Sequence, residues 1–367
     1  MSPIADRLDV RAGFCTMEGM LCTSVQMFAL TSFKRLFAAV AASVSLAGCS
    51  AATSPAASTS ALNRVAANPG SNGRVSAIAA AKGLIYVADY TNQAIHIYPL
   101  AGKNQQEIGL ITGVPVVEYL NVDRFHNLYV VEFSAGEVLV YPRGATQPSL
   151  TLIVQPNGAF PNAVAISHSG EVAVGQFQTT GIEFYHKGAT MPFNTVRPPV
   201  GFGSAGFCAY DASGNLYVIG SSASHASHIG EIKRGGKGTS IKDLGVNTGI
   251  TNAKGIQIDT LGNIAVVGDS GTLNTYAPHS NTLLSTSQLL DPPSDGPNPN
   301  GGFSLKASGK NLYVASAILN SQNLGQALEY AYPAGGAIRN TITVQIPPGG
   351  DGQTAVTGVA VDPPEQP

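Results

Sequence analysis

The sequence predicts an all-β chain folded as a single propeller of four-stranded blades, and three observations carry that prediction. A turn-and-strand motif recurs at spacings of 43, 44, 44, 48 and 48, measured at Tyr86, Tyr129, Ala173, Tyr217, Ala265 and Tyr313. No stretch beyond the leader holds a helical apolar period, whereas alternation at period two is frequent. Gly supplies 42 and Pro 23 of 367 residues and charged residues only 11%, against about 25% in ordinary domains. Many tight turns and little charged surface are what stacked four-stranded sheets require, and a repeat of roughly 40–50 residues is blade-sized.

The clearest copy of the motif is Asp211-Ala212-Ser213-Gly214-Asn215-Leu216-Tyr217-Val218. A first strand ends at Asp211, a tight turn carries Ser213-Gly214-Asn215, and a second strand leads with apolar and β-branched residues, which is a hairpin signature. Equivalent copies are Asp123 to Val130, Ser167 to Val174, Asp259 to Val266 and Lys306 to Val314, with a shortened turn at Lys82 to Val87. A third strand follows and commonly ends in Tyr, as in Ile95 to Tyr98, Val138 to Tyr141, Ile182 to Tyr185, Leu273 to Tyr276 and Leu328 to Tyr332. A fourth, outer strand closes each unit, for example Ser149 to Val154 and Asn340 to Val344.

Six full units are visible, so six blades are expected, with seven the alternative. A seventh first-strand copy, Gly358-Val359-Ala360-Val361-Asp362, stands at the carboxyl end. It reads as the strand that joins the last blade to the first.

The chain divides into a leader over 1–48, a tether over 49–70 and the propeller over 71–367. Met1 to Gln26 fit no structural role, and Met20 or Met27 is a plausible true start. Lys34-Arg35 then form a basic n-region, and Leu36 to Ser45 an apolar run too short to anchor in a bilayer. Leu46-Ala47-Gly48-Cys49 resembles a bacterial lipobox, which implies cleavage before Cys49 and lipidation of that residue. The alternative is an ordinary secretory signal that ends in Cys. Two or more acyl chains hold a protein on a membrane durably, and the Ala/Ser/Thr-rich stretch from Ser50 to Ala61 reads as a flexible linker. The expected location is the bacterial cell envelope, on its periplasmic or outer face.

Net charge is −2 and no basic run is present, which leaves nucleic acid without an electrostatic footprint. Cys15 and Cys22 fall in the leader, so Cys208 is the one unassigned cysteine of the body. At the start of an apolar strand it reads as a small buried hydrophobe rather than a nucleophile. His225 and His228 lie three apart in a Ser-rich connection, read as a solvated loop, and the other histidines are scattered singly. No Gly-x-Ser-x-Gly elbow occurs, and the basic, Gly-rich Lys233 to Gly238 reads as an exposed turn rather than a phosphate cradle.

The Asp-x-x-Gly-Asn turn, the Leu-Tyr-Val strand and the following strand ending in Tyr are similar to NHL-repeat propellers and, more loosely, to the gluconolactonase and senescence-marker lactonase group. The resemblance covers about Val75 to Asp362 and implies fold more than activity, since propellers host unrelated functions. The lactonase group implies a divalent ion held in the channel by Glu, Asn and Asp. Counting five residues back from each turn Asp gives Glu118, Asn162, Gly206, Lys254, Gly301 and Thr357, whose side chains are expected to converge on the central channel. Glu118 and Asn162 match two of the three ligands, the third is missing, and Lys254 puts a positive charge where a cation would sit.

The longest irregular stretch, Leu290 to Gly302, carries four prolines with Asp291, Asp295, Asn298 and Asn300. It is expected to project from a rim and to bind a partner. Ca2+ at Asp291 and Asp295 is the one cofactor weighed, with a plain solvated loop the alternative. The expected function is a non-catalytic, monomeric envelope lipoprotein whose propeller binds an envelope or extracellular protein, peptide or polymer, with the membrane engaged through the lipid anchor only. The alternative is a metal-dependent, lactonase-like hydrolase or a lyase acting in the channel.

Overall fold

The computed structural model describes residues 77–155, 160–177, 181–221, 226–251, 253–268, 271–290, 303–305, 310–316, 324–350 and 354–364. Cys49 with the leader and tether, His225, Gly301 and the rim residues Asp291, Asp295, Asn298 and Asn300 lie outside them.

The described residues are all-β, in antiparallel four-stranded units that run outward from a common centre. The first unit holds β1 (Leu84–Asp89), β2 (Ala94–Pro99) and β3 (Gly109–Thr112), and the second β4 (Val117–Val122), β5 (Leu128–Glu132), β6 (Glu137–Tyr141) and β7 (Leu150–Ile153). The third runs β8 (Phe160–Ile166), β9 (Val172–Phe177), β10 (Ile182–Tyr185) and β11 (Asn194–Val196). The fourth runs β12 (Ser204–Tyr210), β13 (Leu216–Ser221), β14 (Ala226–Ile232) and β15 (Lys242–Thr251), and the fifth β16 (Ala253–Ile258), β17 (Ile264–Gly268), β18 (Thr272–Tyr276) and β19 (Leu283–Leu290). The sixth runs β20 (Phe303–Leu305), β21 (Asn311–Ser316), β22 (Gln326–Ala331) and β23 (Gly335–Thr343), after which β24 (Val356–Asp362) ends the fold. The fifth and sixth units are joined edge to edge by a short parallel pairing, Leu289 to Gly336 and Leu290 to Ala337.

The terminal strand β24 pairs with β1, from Leu84 opposite Asp362 to Asp89 opposite Val356, and becomes the inner strand of the first unit. The inner strands follow one another in a ring, β24 beside β4, then β8, β12, β16 and β20, which returns to β24.

Burial is greatest in the second strand of each unit, and the inner strands β4 and β16 keep half-buried positions. β1, β5 and β17 are buried at every residue, as sheets covered on both faces require. The outer β19 is largely exposed or half-buried. Each apolar cluster lies between two consecutive units. Tyr86, Ile95 and Ile97 of the first meet Leu120, Leu128 and Val130 of the second, and Tyr313, Ala315 and Ile342 of the sixth meet Val359, Val361 and Tyr98 of the first. The core is therefore continuous around the ring.

The turn Asp is structural where the hairpin is complete. Asp211 accepts from Asn215 through its backbone amide and side chain, both at 2.8 Å. Asp123 and Asp259 clamp Asn127 and Asn263 in the same way. The residue before the Asn takes positive φ: Gly214 at 78° and Gly262 at 81°, where only glycine is unstrained, and His126 at 67°. Asp362 has no such turn to clamp. It is fully buried and instead ion-pairs across to the second unit, with Arg143 Nη1 at 2.9 Å and His126 Nδ1 at 2.5 Å.

Two sequence expectations are corrected. The Lys233–Gly238 turn exposes Lys233, Arg234 and Lys237 as expected, but Gly235 and Gly236 within it are buried, and Gly236 N donates to Glu171 Oε1 at 2.9 Å. His228 lies within β14 rather than a loop, 3.1 Å from Asp243 and against the Phe202 ring.

Val356, Val359 and Val361 are each at most 1% exposed, and a fully buried valine is worth roughly 1.5–3 kcal/mol. Three of them rival a net domain stability of about 5–15 kcal/mol, before the lost ladder to β1 is counted. Deleting residues 355–367 is expected to abolish the cooperative melt of the whole domain, read by circular dichroism. A truncated chain with the melting temperature and cooperativity of the full one would contradict closure by β24.

Candidate functional site

The register of the inner strands defines the candidate site. In β4 the pairing jumps from Val117 opposite Glu132 to Tyr119 opposite Val131, so that Glu118 has no partner. The same break isolates Asn162 in β8, Gly206 in β12, Lys254 in β16 and Thr357 in β24. A bulge of this kind bends the strand and re-aims the extra residue. The five described channel residues of the counted column are thus the bulge residues of five inner strands, at the end where each strand enters the ring.

These residues sit close to one another's strands. Thr357 Oγ1 donates to Val117 O at 2.6 Å, which ties β24 to β4 beside Glu118. A Cβ on Gly206 would lie 2.9 Å from Asn162 Nδ2, and one on Gly358 would lie 3.5 Å from Glu118 O. Glycine at 206 therefore makes room for the Asn162 amide. Gln257 Nε2 of the fifth unit donates to Tyr119 OH of the second at 3.3 Å, and the Tyr119 ring lies 6.0 Å from Phe207. The Tyr119–Gln257 bond joins the second unit to the fifth.

Burial pushes the Glu118 carboxyl up to about 7, and the Lys254 ammonium offsets part of that rise. Lys254 acts through space, since no contact within 4 Å joins the two among the described residues. A carboxyl perturbed by desolvation and a specific charge, inside a cleft, marks a functional-site candidate. Among the described residues no group of three or more His, Cys, Asp or Glu stands close enough to hold a metal ion.

The residues opposite the bulges were absent from the sequence reading as site neighbours. Asp89, Glu132 and Gln176 pair with the residue just before the bulge and are buried. Asp89 binds Asn92 N and Nδ2, and Glu132 binds Ser134 N and Ser134 Oγ, so these carboxylates hold the turns beside the channel mouth. The residue that follows each is aromatic: Tyr90, Phe133 and Phe177. Phe133 stacks on Phe160 with centroids 4.8 Å apart, and Phe160 is the cross-strand partner of Phe177. Tyr90 is 45% and Phe177 47% exposed. Aromatic residues therefore stand near the bulges of the first three units, at Thr357, Glu118 and Asn162, and those of the second and third form a continuous ledge. The repeat alignment carried that signal in its own columns.

Among the described residues the histidines do not assemble. His96 is buried in β2 with Nδ1 2.6 Å from Glu107 and Nε2 3.5 Å from Asp89, the latter longer than a hydrogen bond. Burial alone would lower its pKa, but the two carboxylates outweigh burial and raise it. His279 Nδ1 contacts Glu231 and Tyr217 OH, both at 2.7 Å, while His186 stacks on Phe193 at 3.9 Å. Cys208 is buried, and burial pushes its thiol up to about 12, which suits packing and not nucleophilic chemistry.

Comparison with solved structures places this geometry in a known architecture. The chain is similar to a chain of the nidogen/laminin complex, with TM-score 0.59 and 17% identity over 76% of this chain and 98% of that one. The fold is β-propeller-like. A Bacteroides caccae protein of unknown function is similar at TM-score 0.53 and 11% identity, again over 76% of this chain and 98% of that one. A functionally unknown protein from Desulfotomaculum acetoxidans follows at TM-score 0.50 and 14% identity, over 78% and 86%. No family model matches the chain, and neither does any curated protein sequence.

A carboxyl that stays protonated to about pH 7 in the fold, and to about 4.5 in the open chain, makes the folded state the tighter proton binder between those values. Stability therefore falls as pH rises through that window, by roughly 3 kcal/mol at about 1.4 kcal/mol per unit. Glu118→Gln is expected to be more stable than the parent above pH 7 and nearly equal to it at pH 4.5. Paired thermal melts at pH 4.5 and 8 measure this, and a difference that does not change with pH would contradict it.

Proposed function

We propose that this chain is a lipid-anchored protein of the bacterial cell envelope whose NHL-like propeller, of six blades, acts as a non-catalytic binding module. The face that carries the bulge residues and the aromatic ledge engages an envelope or extracellular protein, peptide or polymer. The observation that carries this reading is that Glu118 and Lys254 are both bulge residues of inner strands and that the Lys254 charge acts on the Glu118 carboxyl. A hard divalent cation wants several oxygen ligands and no ammonium among them, so the pair favours recognition over metal-dependent hydrolysis. The ledge of Phe133, Phe160 and Phe177 adds the apolar area that interface anchors need. Export and anchoring rest on the signal sequence and Cys49.

One observation favours a second reading. A carboxyl with its pKa near 7 is poised for general acid–base work, so a metal-independent hydrolase or lyase in the channel is the alternative.

Affinity capture from solubilised envelopes discriminates them, using the full chain, a 291–300 deletion and Cys49→Ala. The expected result is an acylated amino-terminal Cys49 by mass spectrometry, release of the Cys49→Ala protein from membranes, and a captured partner that the loop deletion loses by tenfold or more while the melt is unchanged. Glu118-dependent turnover of lactones or other small esters, with no partner captured, would support the enzyme instead.

A further inference from the structure

Antiparallel pairing puts two turns of every unit at the end opposite its bulge, one between the first and second strands and one between the third and fourth. These turns share the second face of the ring, and charge divides unevenly there. The turn acids Asp123, Asp211, Asp259 and Asp362 are each at most 9% exposed. The first three point inward to clamp their own hairpins, and Asp362 reaches Arg143 and His126. The bases of the same face are exposed: Lys82 in the first unit, Arg124 in the second, Lys187 in the third, and Lys233 and Arg234 in the fourth. None of these five has an ion-pair partner among the described residues.

Two of them are drawn together rather than kept apart. Arg124 Cζ lies 4.7 Å and Lys187 Nζ 3.8 Å from the centroid of the Phe125 ring, and the Arg124 guanidinium donates to Nε2 of His168. Each cation is attracted to the ring, but the two repel one another and no carboxylate answers them. Phe125 is itself 42% exposed, and Leu261, at the same place in the turn of the fifth unit, is 79% exposed. Unanswered cations with apolar tips on one face suit an anionic lipid surface, where headgroups meet the charges and the tips enter the interface.

The described chain also begins on this face. Arg143 Nη2 donates to Ala81 O at 2.7 Å, and a Cβ on Gly144 would lie 3.4 Å from Ile78 Cγ2. In sequence, residues 49–76 join this point to Cys49. We propose that the turn face is a membrane-docking surface, which seats the propeller on anionic headgroups of the bilayer that holds Cys49 and points the bulge face away from it. This goes beyond the binding-module reading and rests on its lipid anchor.

Flotation of the mature chain carrying Cys49→Ala, which takes the anchor out of the measurement, tests the surface on phosphatidylcholine vesicles with and without phosphatidylglycerol. The chain is expected to bind only the vesicles that contain phosphatidylglycerol, and added salt should release it. Arg124→Gln and Lys187→Gln should each weaken binding about fivefold, and Phe125→Ser severalfold. Arg197→Gln removes an exposed charge beyond the bulge-side end of β11 and should leave binding unchanged. Neither Arg124 nor Lys187 makes an ion pair, so both variants are expected to fold, and Phe125→Ser keeps the test open if one does not. Equal binding to both vesicle types, folded variants that bind like the parent, or an equal loss with Arg197→Gln would overturn the proposal. Retention on heparin without vesicle binding would also overturn it, in favour of a soluble polyanion. Mass spectrometry of Cys49 from membranes separates the two readings. An acylated Cys49 without vesicle binding overturns the docking surface alone, whereas vesicle binding with an unacylated Cys49 supports the surface and overturns the anchor.

Discussion

Every inner strand described through its entry to the ring breaks register at the same point, and that break is the constraint on which the rest of the structure depends. Without it, period-two alternation would send Glu118 and Lys254 into the packed faces between units, where apolar clusters leave no place for charge. With it, Val117 and Tyr119 both remain in the core while Glu118 between them is freed from the ladder. The same device handles Asn162 between Pro161 and Ala163, and Lys254 between Ala253 and Gly255. Each unit thereby keeps a dry stacking face and still contributes one side chain to the centre. The buried Asp89 and Glu132 opposite these breaks hold the adjoining turns, and Gln176 donates to Gln155 O at 3.0 Å.

Closure is the second requirement. A ring of sheets has no exposed inner edge only if its two ends meet, and here β24 supplies the inner strand that β1 lacks. Asp362 shows how closely that joint is made. At the position where other copies clamp their own turn, it reaches instead to Arg143 and His126 of the second unit. The charge that would have stabilised a local turn stabilises the junction between the two ends of the chain.

Much of this was legible from the residues because the repeat is local. Asp-x-x-Gly-Asn specifies its turn through bonds four residues apart, and the terminal Gly358 to Asp362 copy announced the closing strand. Counting back from the turn position reached the bulge residues because each bulge stands five residues before it in every described inner strand. What escaped the sequence lies between units. The His96 contacts with Asp89 and Glu107 join a strand to a connection outside the motif. The Tyr119–Gln257 bond joins residues 138 apart, and no periodicity encodes it. Gly235 and Gly236 looked like a solvent turn because the partner that buries them, Glu171, belongs to the preceding unit.

The account turns on a half-buried carboxyl whose titration is influenced by the Lys254 ammonium. Carbon-13 titration of the Glu118 side-chain carboxyl by NMR, in the parent and in Lys254→Met, tests it most directly. A midpoint near 7 in the parent, moving higher when the ammonium is removed, is the predicted result. A midpoint near 4.5 that ignores Lys254 would mean that Glu118 faces solvent alone, and the channel site would not exist.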